Sequence, residues 1–157
     1  MRIIISVMSL AIAISGCSGL KTYPSTGDHN LLVRTKVSGS FSTKVEAFLH
    51  VYRLQGPCNF EYLGTVKLNR DEIRLGISPR QSTYLKFDFE TSARFANTSS
   101  TVPYSVALTP QLGAQYTADV SYVDSVYSVV VRKTGPRGTA ERFIERSKLN
   151  CQPPTDD

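Results

Sequence analysis

From residue 31 onward the apolar positions recur with a period of two. Leu31, Val33, Thr35 and Val37 fall on one side and Leu32, Arg34, Lys36 and Ser38 on the other, the pattern of a half-buried strand. Val45, Ala47, Leu49 and Val51 then alternate with Glu46, Phe48, His50 and Tyr52, and Gln55-Gly56-Pro57 closes that run. A third run sets Phe60, Tyr62, Val66 and Leu68 on one face, with Gly64 interrupting it as a bulge would. The polar stretch 69–82 leaves room for a short edge strand at Leu75 and Ile77. The clearest alternation covers 83–95. Leu85, Phe87, Phe89, Ala93 and Phe95 are expected inward, while Lys86, Asp88, Glu90 and Arg94 form an outward face that should be solvated.

The remaining pattern is of the same kind. A Ser/Thr loop is expected at 97–101, then a strand carrying Tyr104, Val106 and Leu108 and another carrying Tyr116, Ala118, Val120 and Tyr122. Asp124-Ser125 can turn that last strand into 126–133 as a hairpin. Residues 141–146 read either as a final strand or as a short helical piece. No stretch of about ten residues keeps a helical period. About eight short strands separated by turns predict an all-β chain folded as an antiparallel β-sandwich, immunoglobulin-like or transthyretin-like, with a small closed barrel as the rival. The stretch 108–116, with Pro110, a turn Gly113 and Tyr116, resembles the tyrosine corner of immunoglobulin-like and fibronectin-like sandwiches. The resemblance implies a phenol that caps backbone groups across the turn.

Ahead of the strands the pattern is different. Met1-Arg2 is a short basic start, and residues 3–14 are apolar except for Ser6 and Ser9. That run falls short of the ~20 residues a spanning helix needs, and it reads as a signal peptide over residues 1–16. Ile14-Ser15-Gly16-Cys17 resembles the lipobox of bacterial lipoproteins. The resemblance implies cleavage before Cys17 and a diacylglycerol thioether on its sulfur. Several buried acyl chains at about 0.8 kcal/mol per CH₂ would hold such a chain on a membrane. Ser18 stands where the inner-membrane retention signal of enteric bacteria would place Asp, so the expected location is the outer membrane, facing the periplasm. Residues 17–30 read as the lipidated terminus and a flexible tether, 31–151 as the domain, and 152–157 as a disordered tail.

With Cys17 assigned to lipid, Cys58 and Cys151 remain as a pair in an oxidising compartment, and a disulfide is expected between them. It closes a loop of roughly ninety residues, worth about 4–5 kcal/mol on a chain-entropy account. The formal charge of +5 falls to +4 when Arg2 leaves with the signal peptide. The surplus sits in Arg132, Lys133, Arg137, Arg142, Arg146 and Lys148, set against Glu141 and Glu145. For an exported chain that stripe suits an anionic partner such as lipid headgroups or an acidic protein, or simply a solvated face; nucleic acid is not an expected partner.

Motifs for chemistry are sparse. His29 lies in the tether and His50 on a strand face between Phe48 and Tyr52; the adjacent pairs Asp71-Glu72 and Asp156-Asp157 fall in polar stretches. None of these forms a nucleophile, base and orienting group in a known local signature. There is no phosphate-cradling glycine loop and no metal-ligand spacing, so no catalytic residue, metal or cofactor is expected beyond the lipid on Cys17. The expected role is a membrane-anchored, non-enzymatic lipoprotein acting as an interaction or scaffolding module with another cell-envelope protein. A ligand- or polysaccharide-binding lipoprotein using exposed Tyr residues is one alternative; an envelope hydrolase with an unrecognised site is another.

Overall fold

The computed structural model describes residues 20–25, 27–95, 98–135 and 142–154. Cys17 and the signal peptide, Arg137, Glu141 and the pair Asp156-Asp157 lie outside the described residues. The described residues form nine strands: β1 (Leu31–Val37), β2 (Thr43–Gly56), β3 (Asn59–Lys67), β4 (Glu72–Leu75), β5 (Thr83–Ala93), β6 (Ser99–Leu108), β7 (Gln115–Val123), β8 (Val126–Thr134) and β9 (Arg142–Ile144). Among the described residues there is no helix.

The strands make two sheets, one ordered β4-β1-β7-β8-β9 and the other β3-β2-β5-β6. Every pairing is antiparallel except β1 with β7, which run parallel from Leu31↔Tyr116 to Val37↔Tyr122. The β-sandwich expected from the alternation is therefore present. The facing sides meet in a core that includes Leu31, Val33, Leu49, Val51, Leu85, Phe87, Phe89, Val106, Ala118 and Val131. These are the period-two positions of each strand, and their burial is the main favourable term for a chain of this size.

Four local expectations are corrected. Gly64 does mark a bulge: Val51 pairs with Gly64 but Tyr52 pairs with Tyr62, which leaves Leu63 as the extra residue. An extra residue reverses the pleat, so Phe60 and Tyr62 lie on the outer face beside Leu54 and Tyr52, while Val66 pairs with the core residue Leu49. Asp88 is not solvated but buried, because the outer face of its sheet carries its own packed layer. Phe95 lies past the end of β5 and is 76% exposed, since the strand stops at Ala93. Finally, the edge strand of the fourth segment runs Glu72–Leu75 with Ile77 beyond it, and β6 begins at Ser99 inside the expected loop.

The tyrosine corner is built as the resemblance implied. The Tyr116 phenol oxygen accepts a hydrogen bond from the Gln111 N–H at 3.0 Å, Pro110 is buried, and Gly113 has φ +74°. The Cys58 and Cys151 sulfurs are 2.12 Å apart with Cα atoms 5.7 Å apart, as a disulfide requires. Residues 21–23, expected as part of a tether, lie along β3. The Thr65 N–H donates to the Lys21 carbonyl at 2.7 Å, and the Tyr23 N–H donates to the Thr65 carbonyl at 3.0 Å. A Cβ on Gly64 would sit 2.5 Å from Tyr23 Cα, so that docking also requires glycine at the bulge.

Candidate functional site

The strand directions give the sandwich two unlike ends. β1, β3, β5 and β7 begin at the end that holds the tyrosine corner, the β2–β3 hairpin with Cys58, and the last turn of β8. We call this the corner end. The opposite end carries the β1–β2, β5–β6 and β7–β8 connections, and we call it the loop end. Thr22 pairs with Thr65 in the parallel sense, so residues 21–23 run in the direction of β3, away from the corner end.

Between the ends, on the outer face of the β3-β2-β5-β6 sheet, lies a polar chain of contacts. His50 Nε2 is 3.3 Å from Asp88 Oδ2, and Lys86 Nζ is 2.8 Å from the same oxygen. His50 Nδ1 is 2.6 Å from Thr65 Oγ1, which is 2.6 Å from the Tyr62 hydroxyl. Register explains the gathering: His50 pairs with Thr65 on one side and Lys86 on the other, and Asp88 is two residues along on the same face. Burial pushes the Asp88 carboxyl up, but the hydrogen bonds from His50 and Lys86 outweigh it and hold the group below the usual carboxylate range. A hydroxyl, an imidazole and a carboxylate in line resemble a proton relay, yet Thr65 is only 6% exposed. The groups bond one another and the docked segment.

Beside this chain of contacts Tyr52, Phe60 and Tyr84 pack edge to face, with centroids 5.0–6.1 Å apart. Tyr52 and Tyr84 are buried although they point away from the core. The C-terminal segment supplies anchors on both sides of them. The Ser147 N–H donates to the Ser105 carbonyl of β6 at 2.7 Å, and Cys151 is tied to Cys58 at the hairpin. The disulfide thus fixes a strap across a sheet face that the sequence pattern left looking open.

The six basic residues singled out in the sequence do not form one patch. Arg132 bonds Asp119 and lies 5.5 Å over the Phe143 ring. Arg146 lies 5.2 Å over Tyr104 and donates to the Pro103 carbonyl. Arg146 closes the side of the sandwich where β6 and β8 approach, whereas Arg132, next to the core residue Val131, lies on the outer face of the other sheet. Lys133 and Arg142 are instead cross-strand neighbours at the corner end, where Lys133 Nζ donates to Gln111 Oε1 at 2.5 Å. They border a cleft of about 470 Å³ together with Thr109, Tyr116 and Glu145. Lys148 is exposed on the strap.

The loop end has a different character. Phe41 and Phe95 are 84% and 76% exposed, and their rings lie 5.9 Å apart. They are brought together because Thr43 pairs with Ala93 at the ends of β2 and β5. Val126 is also exposed there, next to the Asp124-Ser125 turn. Around them Lys44 and Lys67 both bond Glu46, and those two hydrogen bonds hold the Glu46 carboxyl below its ordinary value. The sequence pattern placed Phe95 in the core and gave Phe41 no role; only the strand register, which brings two loop residues together, reveals the pair.

Among the described residues no three His, Cys, Asp or Glu side chains gather as a metal ligand set. Comparison with protein-family models, with curated proteins and with solved structures finds no match to this chain.

Proposed function

We propose that this chain is a lipid-anchored lipoprotein of the bacterial envelope, non-enzymatic, whose sandwich presents its loop end to another envelope protein. The observation that carries the reading is the opposition of two features. Traced backward from Thr22, residues 20–22 point toward the corner end, and the solvent-facing rings of Phe41 and Phe95, 5.9 Å apart, stand at the other. Aromatic side chains exposed together are costly to leave in water and are the residue type that anchors protein interfaces. The Cys58–Cys151 pair at bonding distance supports an exported chain, since such bonds persist in oxidising compartments. In this reading the protein sits on the outer membrane and faces the periplasm, with the domain held close to the bilayer and the rings turned away from it.

The test is photo-crosslinking in intact cells from a reactive side chain placed at Phe41 or Phe95, with Leu112 at the corner end as the comparison site. The expected result is one discrete protein adduct from the first two positions and none from Leu112. Recovery of only lipid and abundant envelope proteins from all three positions would defeat the adaptor reading. Cys17→Ala addresses the anchor separately, and continued tight association with the membrane fraction would count against acylation.

A further inference from the structure

We propose that the corner end itself docks on the bilayer: Lys133 and Arg142 take phosphate oxygens of anionic lipid headgroups while Leu112 enters the interfacial layer. The proposal deepens the anchored-lipoprotein reading and rests on it for the membrane, but it is carried by separate observations.

The first is charge. Among the described residues the corner end gathers Lys21, Arg74, Arg80, Lys133, Arg142 and Lys148 against Asp28 and Glu145, with Arg53 and Glu61 paired to each other at 3.0 Å. At the loop end the lysines and arginines stand among Glu46, Asp71, Glu72, Glu90 and Asp124, so that end carries no comparable surplus. The second is the Lys133↔Arg142 pairing across β8 and β9. Like charges directly opposite in an antiparallel pair are destabilising. Here they border a cleft of about 470 Å³ lined also by Thr109, Gln111, Tyr116 and one carboxylate, Glu145, and an anion accepting from both cations would remove the repulsion between them and gain charge-assisted hydrogen bonds. The third is apolar exposure in the right place. Leu112 is 64% exposed at the tip of the tyrosine corner, one residue from the Gln111 that Lys133 bonds. Leu20, on the chain coming from the same end, is 52% exposed.

Chain reach makes the arrangement compatible with the anchor. Cys17 precedes Lys21 by four residues, at most about 14 Å of extended backbone, and Lys21 is held on β3. An acylated Cys17 therefore keeps the domain within contact of the surface. One acyl attachment with a basic surface beside it is the two-signal combination that stabilises membrane association, each lysine or arginine near an anionic leaflet strengthening it about fivefold.

The chain contains no tryptophan, so Leu112→Trp and, separately, Val126→Trp give single fluorescent reporters at the two ends. The acylated protein is reconstituted in phosphatidylcholine vesicles with and without phosphatidylglycerol, and quenching by brominated lipid is measured. Leu112→Trp should be quenched strongly in the anionic vesicles and weakly in the neutral ones; Val126→Trp should be quenched in neither. Adding Lys133→Gln and Arg142→Gln should lower the docked fraction about fivefold for each cation removed, while Lys36→Gln with Arg70→Gln at the loop end leaves it unchanged. Equal quenching at the two ends, or indifference to phosphatidylglycerol, overturns the proposal, as does loss of binding that follows total charge and not position. Free inorganic phosphate that abolishes the quenching at low millimolar levels would mean a soluble-anion site and would also overturn docking. Failure of the anchor is read independently from the mass of the purified chain and from flotation, and the unacylated form mixed with the same vesicles still reports the end-to-end difference.

Discussion

The two ends of the sandwich differ in how their backbone is held. At the corner end the Tyr116 phenol bonds the Gln111 N–H, Arg80 N–H bonds the Pro110 carbonyl, and the disulfide ties the C-terminal strap to the β2–β3 hairpin. At the loop end the chain turns on short connections. Asp124 and Ser125 both take positive φ, +50° and +64°, and two phenylalanine rings stand in solvent. The difference teaches that cross-links and buried hydrogen bonds are concentrated at the end that holds the tyrosine corner and the Cys58–Cys151 pair, which leaves the far loops able to carry exposed apolar groups without unfastening the core.

The largest effect should come from opening the corner end. Cys58→Ser with Cys151→Ser is expected to lower stability by about 2–5 kcal/mol, read from urea unfolding. It should also expose Tyr52 and Tyr84 as the strap loosens. A loss below about 1 kcal/mol would mean that packing alone holds this end.

A smaller effect is expected midway between the ends. Asp88→Asn removes the charge that His50 and Lys86 share, and should cost about 2 kcal/mol at neutral pH. The Asp88 pKa is depressed in the folded state. Its contribution is therefore full above the unfolded value of about 3.9 and disappears as pH falls through the lower folded value. The stability difference between the two proteins should accordingly narrow below about pH 4. A difference that stays constant through that range would show that the charge is not what matters.

The smallest effect belongs to the loop end and has the opposite sign. Ser125 sits in the left-handed region, which a residue with a Cβ occupies at a cost, and two-residue hairpin turns of this kind favour glycine. Ser125→Gly should raise stability by about 0.5–1 kcal/mol, or roughly 2–4 °C in Tm. No change in thermal unfolding would mean that the turn is not strained.

Most of the fold was legible in the sequence because one face of each strand is buried and the period of two survives along it. The run from Leu31 to Val37, the pair of inner faces of β2 and β5, and the tyrosine corner were all readable from neighbouring residues. Asp88 was not. Its outward, polar neighbours Lys86 and Glu90 make a solvated face by pattern, and only the pairing of β5 with β2 sets His50 beside it. The bulge was legible at Gly64, but its effect was not: one inserted residue sends Phe60 and Tyr62 to the face opposite Val66. The basic stripe was legible as composition and misleading as a surface. Arg132 and Arg146 turn to Asp119, Phe143 and Tyr104, while Lys133 and Arg142 stay at the corner end.

The sequence by itself determined the strand content and the corner turn, which depend on residue type and short-range spacing, and it offered Cys58 and Cys151 as partners by setting Cys17 aside for lipid. The tertiary structure alone decided which residues from distant strands meet. It set His50 against Asp88, brought Phe41 beside Phe95, laid residues 21–23 along β3 and gave the sandwich a basic end and a neutral one. Those outcomes follow from register and strand direction, which are fixed by the packing of two sheets together and leave no mark in any single stretch of chain.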